Sequence, residues 1–226
     1  MSNLTAVDPP WNPCYRLIPS RFPPISVFEN VASAEDFDTL YAVQALVNPR
    51  IRQEVGEIDL VPAADRVFGV GSSPIMAAFC HLNPEGSRFS DGTWGVYYGA
   101  QTLETAVAEV GHHRTKFLEA TAQPAIDVDL RCYIATVQAP LLDVRAVAEI
   151  HVPDSYAASR EFAKAHRAQG AAGLLYRSVR DPEHECVAIF RPPAIRVPVT
   201  QGPHVTLCWD GQRVKAWYRK SDIHAV

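Results

Sequence analysis

An arginine, a tyrosine and a glutamate lie close together in this chain, each where local structure can aim it at one place. Gly86-Ser87-Arg88-Phe89-Ser90 precedes a short strand, Tyr97-Tyr98-Gly99-Ala100 ends that strand, and Glu104 to Val110 belong to the helix that follows. A guanidinium presents a planar fork of N–H donors that suits phosphate or carboxylate. A tyrosine ring stacks while its hydroxyl bonds, and a carboxylate stabilises developing positive charge. On a helical wheel Glu109 sits about 60° from Ala106, flanking the apolar face, so it points along the core boundary into a cleft. By residue type alone, the pattern also fits a solvated helix glutamate and a surface arginine.

Other motifs carry less. Gly69-Val70-Gly71 would need a third glycine where Pro74 stands, and no Gly-Lys-Ser/Thr follows, so a plain turn is expected. No Gly-x-Ser-x-Gly nucleophile elbow occurs. His112 and His113 are helix neighbours whose side chains diverge by about 100°. His184 and Cys186 can share a strand face but lack a third ligand at ligand spacing. No metal site is expected.

The elements that would hold these residues are partly legible. Ser33 with Asp36 forms a capping box before Phe37, Leu40, Tyr41, Gln44 and Val47 at helical spacing, and Asn48-Pro49 stops that helix. Pro74 to Leu82 reads as a short helix or a buried strand. Gly95 to Gly99 is a strand, and Thr102 opens a helix with Leu103, Ala106, Val107 and Val110 on one face. Ile126 to Val128 and Arg131 to Val137 read as two strands. Asp154 caps a helix running to about His166, which Gly170 ends. Leu174 to Tyr176 and Cys186 to Phe190 are further strands. Val205 to Trp209 and Gln212 to Tyr218 flank Asp210-Gly211, which predicts a hairpin over 205–218 with a two-residue type I′ connection. Residues 1–32 read as an extended arm with one short strand, Tyr15-Arg16-Leu17-Ile18, and proline pairs at Pro9-Pro10 and Pro23-Pro24. Without regular βαβ alternation, the order predicts an α+β fold: a single domain over 1–226, with a mixed sheet and flanking helices.

Composition narrows the function classes. The chain has 226 residues, 47% hydrophobic and 20% charged, enough apolar content for a sizeable core. Lys and Arg total 21 against 25 Asp and Glu, a net charge of −4, so direct nucleic-acid binding is not expected. No apolar run approaches the roughly 18 residues of a membrane span. The start, Met1-Ser2-Asn3-Leu4-Thr5, lacks the basic and apolar regions of a secretory signal. The 5 cysteines are an odd number without C-x-x-C, consistent with reduced, buried thiols in a cytoplasmic protein.

Taken together, these residues resemble the RES-domain family, the toxin component of bacterial toxin–antitoxin pairs of the RES–Xre type. Members carry Gly-x-Arg-(Phe/Trp), a strand ending in Tyr, and a helix with Ala-x-x-Glu. The chain has Gly86-Ser87-Arg88-Phe89, Tyr98, and Ala106-Val107-Ala108-Glu109 in that order. A third element, a strand followed by serine, matches Gly173-Leu174-Leu175-Tyr176-Arg177-Ser178-Val179-Arg180, and an early Tyr-Arg matches Tyr15-Arg16. The family's Arg, Glu and Ser thus fall on Arg88, Glu109 and Ser178. Two features depart: Ser90 stands where Asn is common, and about sixty residues before Arg88 do not align.

The resemblance implies a fold related to ADP-ribosyltransferases, an enzyme that takes NAD⁺ as substrate without a further cofactor, and a helical antitoxin with a DNA-binding module as partner. In that chemistry the leaving nicotinamide departs neutral and the ribose becomes oxocarbenium-like. Glu109 would stabilise that charge and bond a ribose hydroxyl. Arg88 would grip pyrophosphate, with Arg16 as a second phosphate candidate. Tyr98 would stack on nicotinamide or fix the ribose, and Ser178 would position. Tyr97 alternates to the other sheet face as core, and Arg180 and His184 read as structural. Glycohydrolysis or phosphorolysis leads, and transfer of ADP-ribose to a protein is the alternative. The joint presence of Arg88, Tyr98, Glu109 and Ser178 argues against a non-catalytic nucleotide- or partner-binding module.

Overall fold

The computed structural model describes residues 4–22, 28–29, 31, 33–47 and 55–220. Among them, nine strands form one mixed sheet in the order β1-β5-β6-β7-β3-β2-β4-β8-β9. The strands are β1 (Ala6–Val7), β2 (Cys14–Pro19), β3 (Tyr97–Ala100), β4 (Ile126–Val137), β5 (Leu141–Asp143), β6 (Gly173–Arg177), β7 (Glu185–Ile189), β8 (Ile195–Trp209) and β9 (Val214–Arg219). Among the described strands only the β5–β6 pair is parallel. The helices are α1 (Ala34–Val47), α2 (Ser73–Cys80), α3 (Leu103–Ala120) and α4 (Ala157–Ala168). This is the α+β domain expected.

Within the arm expected over 1–32, residues 4–22 instead carry two strands of the sheet. β2 lies at the centre of the sheet, paired with β4 from Cys14↔Ala135 to Pro19↔Leu130 and with β3 at Tyr15↔Ala100. β1 pairs with β5. Short strands flanked by prolines look peripheral when their partners are distant in sequence. Gly99 is what lets β3 approach β2: a Cβ there would lie 2.7 Å from the Cys14 sulfur.

The alternation of strand side chains places a core on each face of the sheet. On one face Cys14, Tyr97, Leu175, Val187 and Ile189 pack against Ile75, Met76 and Phe79 of α2 and Phe37 of α1. On the other, Leu17, Ala100, Leu174, Tyr176, Cys186 and Ala188 pack against Leu103, Ala106 and Val107 of α3 and Ala163 of α4. The candidate site belongs to this second face.

Local signals account for the helices. Ser33 accepts the Asp36 amide at 3.1 Å and donates its hydroxyl to the Asp36 carboxylate at 2.7 Å, capping α1. The expected stop at Asn48-Pro49, the Pro23-Pro24 pair and the first three residues lie outside the described residues. The run from Pro74 is a helix, with Pro74 in its first turn, where a missing N–H costs nothing. Thr102 caps α3 by accepting from the Thr105 amide.

Three boundaries differ from expectation. β4 is one continuous strand, held along its length by β8. Asp154 does not cap α4: Tyr156 stands at that position without a side-chain cap, and Asp154 faces Lys116 at 3.9 Å. The β8–β9 connection has four residues, since Trp209 pairs with Val214. There the Asp210 carboxylate accepts the amides of Gln212 and Arg213, which closes a longer turn than Asp-Gly alone suggests.

Candidate active site

Helix α3 and the turn after β6 meet through side chains. Glu109 stands at the edge of the buried stripe Leu103, Ala106 and Val107, half-exposed, where α3 crosses the end of β6. Its Oε1 accepts three hydrogen bonds: the Ser178 hydroxyl at 2.6 Å, the Val179 amide at 3.0 Å and the Arg180 amide at 3.4 Å. Among the described residues Oε2 takes none.

Ser178 is buried, and its hydroxyl is fully used. Besides donating to Glu109, it accepts the Arg180 amide at 3.2 Å and the Asp181 amide at 2.9 Å. Its own amide donates to the His184 carbonyl, closing the turn. In this geometry Ser178 orients the carboxylate and shapes the turn.

A second grip lies one helical turn earlier. Thr105 Oγ1 donates to Asp181 Oδ2 at 2.7 Å, and His184 Nδ1 lies 2.9 Å from the same oxygen. The hydrogen bond from Thr105, then that from His184, holds the Asp181 carboxyl below the usual range. Spacing of four on α3 puts Thr105 and Glu109 on one face, so two side chains of one helix fasten the same turn. Residue type and spacing alone do not point to Thr105 and Asp181. Ser178-x-x-Asp181 repeats the Ser33-x-x-Asp36 capping pattern, which is the signal the sequence carries for this turn.

Tyr98 shares the sheet face of Ala100 and Ala188, whose small side chains leave room for rings. Phe89 stacks on Tyr98 with centroids 6.5 Å apart and meets Tyr176 edge-on at 4.9 Å. The Tyr98 hydroxyl lies 2.7 Å from Ser87 Oγ and accepts the Phe89 amide at 3.0 Å. Burial pushes this phenol up to about 12. Tyr98 therefore fastens the turn that carries Arg88. That turn depends on Gly86, whose φ is +74° and where a Cβ would lie 2.4 Å from the Ser90 carbonyl oxygen. Ser90 Oγ donates to the Trp94 carbonyl, closing the next turn.

Arg88 is 6% exposed and faces the protein's own backbone. Nη1 donates to the Ile150 and Val152 carbonyls at 3.1 and 2.9 Å, and Nη2 to Pro153 at 3.5 Å. The guanidinium lies 4.7 Å from the Tyr156 ring centroid. The fork expected to be open to pyrophosphate is thus turned onto carbonyls of the segment before α4.

Arg16 lies elsewhere. It pairs with Tyr133 and leaves β2 on the sheet face opposite Tyr98. Its guanidinium sits 4.7 Å over the Tyr97 ring and donates to the Tyr98 carbonyl at 3.3 Å, filling the gap where β2 and β3 part. Its Nε is buried and unpartnered among the described residues. Burial pushes its pKa down. Arg16, Ser87 and Tyr98 line a hollow of about 160 Å³ that neither Arg88, Glu109 nor Ser178 reaches. Tyr97 is fully buried.

A larger hollow of about 940 Å³ is lined by Asp38, Glu57 and Asp59 and contains none of the candidate residues. Its acidic wall does not suit an anionic ligand. Among the described residues no three His, Cys, Asp or Glu side chains converge as a metal site, and no helix is long and apolar enough to cross a membrane.

Comparison with known proteins adds to this geometry. The chain is 30% identical over 210 residues to "Uncharacterized protein y4oC" of Sinorhizobium fredii (strain NBRC 101917 / NGR234), covering 92% of this chain and 87% of that protein. It also superimposes on a chain of the crystal structure of the M. tuberculosis MbcT–MbcA toxin–antitoxin complex with a TM-score of 0.47 and 10% identity, over 91% of this chain and 87% of that one. The RES domain model matches residues 63–210, a span that holds Arg88, Tyr98, Glu109 and Ser178 together, and the chain belongs to the RES-domain family.

Proposed function

We propose that this chain is the toxin of a toxin–antitoxin pair and that it breaks the nicotinamide–ribose bond of NAD⁺. The observation that carries the reading is the Glu109 carboxylate. One oxygen is fixed by Ser178 and two amides, while the other takes no bond from the described residues. Membership in the RES-domain family supports it.

The chemistry requires little more. The bond to the cationic ring nitrogen breaks with its electron pair passing to nicotinamide, which leaves neutral, so no general acid is needed. Positive charge develops on the ribose, and a carboxylate held in place beforehand stabilises it without reorganising. Glu109 Oε2 is the oxygen available for that charge and for a ribose hydroxyl. Water or phosphate then attacks the ribose carbon, giving ADP-ribose or its 1-phosphate.

A helical antitoxin that covers the site belongs to the same reading, as does a cytoplasmic location where NAD⁺ is plentiful. The test is incubation of purified protein with NAD⁺, with and without phosphate, and identification of products. Free nicotinamide with ADP-ribose or its 1-phosphate is expected. Label retained on a protein band instead would turn the reading to protein ADP-ribosylation, and no release of nicotinamide would remove it.

A further inference from the structure

Two guanidinium groups converge on one neutral oxygen. The Pro153 carbonyl accepts from Arg180 Nη2 at 2.7 Å and from Arg88 Nη2 at 3.5 Å. Neither arginine forms an ion pair with a carboxylate among the described residues. Like charges side by side repel, and a carbonyl carries only part of the negative charge that two such groups can accommodate.

The surroundings hold this pair beside Glu109. The Arg180 amide bonds Glu109 Oε1, so its side chain starts at the candidate carboxylate. Arg88 is braced from behind by the Tyr156 ring, while Ser159 donates to the Arg88 carbonyl at 2.7 Å. Burial, and after it the charge of Arg180, pushes the His112 imidazole on α3 down, and burial lowers His113 too, with Glu109 opposing and Arg180 adding. Val152 and Pro153 are exposed, on the turn between the buried Ile150 and α4.

We propose that Arg180 and Arg88 form a two-arginine clamp for phosphoryl oxygens, and that the Pro153 carbonyl occupies the clamp in the free chain. The proposal rests on the NAD⁺ reading and deepens it. The phosphoryl group is the pyrophosphate of the dinucleotide or a phosphate acceptor. An anionic oxygen replaces the carbonyl because charge-assisted hydrogen bonds are stronger than those to a neutral acceptor. The departure of the 152–153 turn then frees Arg180 Nη2 and Arg88 Nη2, while Arg88 Nη1 keeps its bond to the buried Ile150 carbonyl. Arg180, which residue type alone left as structural, becomes the second arm of the clamp.

Calorimetric titration with inorganic pyrophosphate, ADP-ribose and orthophosphate tests this without turnover, with adenosine as the uncharged control. Arg180→Gln is expected to weaken the anions that wild type binds by at least about tenfold and leave adenosine unchanged. Arg180→Lys should fall between, since the point charge stays and the fork is lost. Dependence of pyrophosphate and ADP-ribose on Arg180 identifies the substrate as the source, and dependence of orthophosphate alone identifies the acceptor. Thermal melts establish that Arg180→Gln is folded, and Arg180→Lys carries the test if it is not. Wild-type affinity for all three anions in a folded variant overturns the clamp, as does no anion binding by wild type. Arg180-dependent anion binding without NAD⁺ cleavage removes the enzymatic reading and leaves the clamp. Cleavage with an unchanged KM in Arg180→Gln does the reverse.

Discussion

Ser178 donates its hydroxyl to Glu109 across 2.6 Å, joining residues 69 apart in sequence. The contact fixes one carboxylate oxygen and leaves the other without a bond from the described residues. It also ties the orientation of the carboxylate to the fold, because the same hydroxyl accepts two amides of the turn.

Ser178→Ala is therefore expected to act on both. Glu109 loses its shortest hydrogen bond, and two part-buried amides lose an acceptor, costing about 1–3 kcal/mol of stability. Turnover of NAD⁺ should fall about 10- to 100-fold. Thermal melts and kcat on the same preparation check it, and an active, fully stable variant would show that the hydroxyl orients nothing.

Asp181→Asn probes the second grip. Thr105 and His184 hold this carboxyl below its usual range. A depressed folded pKa adds stability above the unfolded value near 3.9, lost as pH falls through the folded value. Wild type should thus lose stability in acid below about pH 4 more steeply than Asp181→Asn. Melting temperatures from pH 6 to pH 2 give the comparison.

Much of the second-face core was readable because its signals are local. The Thr102 cap and the stripe Leu103, Ala106 and Val107 place Glu109 on α3 without tertiary information. What escaped is non-local. β2 reads as part of an arm because its partners, Ala100 and Ala135, lie more than eighty residues away. Arg88 reads as a free cation because its acceptors belong to residues 150–153. Asp210-Gly211 predicts a tight hairpin, and the longer turn follows from where the Asp210 carboxylate bonds.

Histidines set a second acid limb. Burial pushes His112 down to about 4 and also lowers His113 and His151. His151 Nδ1 lies 2.7 Å from the Val147 carbonyl and Nε2 accepts the Arg177 amide at 3.2 Å, an arrangement that requires the neutral ring. Folded pKa values below the unfolded value near 6.5 mean stability is complete above that pH and declines below it. Denaturant midpoints should fall from pH 7 toward pH 4, and less so in His112→Gln. A flat wild-type profile would contradict the assignment.

Arg88→Lys keeps the charge but loses the fork. One ammonium cannot serve the Ile150, Val152 and Pro153 carbonyls and lie over Tyr156 as well. A lower melting temperature and a raised KM for NAD⁺ are expected together. Loss of neither would mean that the segment before α4 is held without Arg88.

In the proposed reaction the Glu109 carboxylate stabilises charge on the ribose. Its most direct test is nicotinamide release from NAD⁺ by wild type and by Glu109→Gln, which preserves shape and hydrogen-bond acceptance at Oε1 while removing the charge. At least about 10²-fold slower release is expected from a variant that melts like wild type. Release within a few-fold of wild type by that folded variant would contradict it.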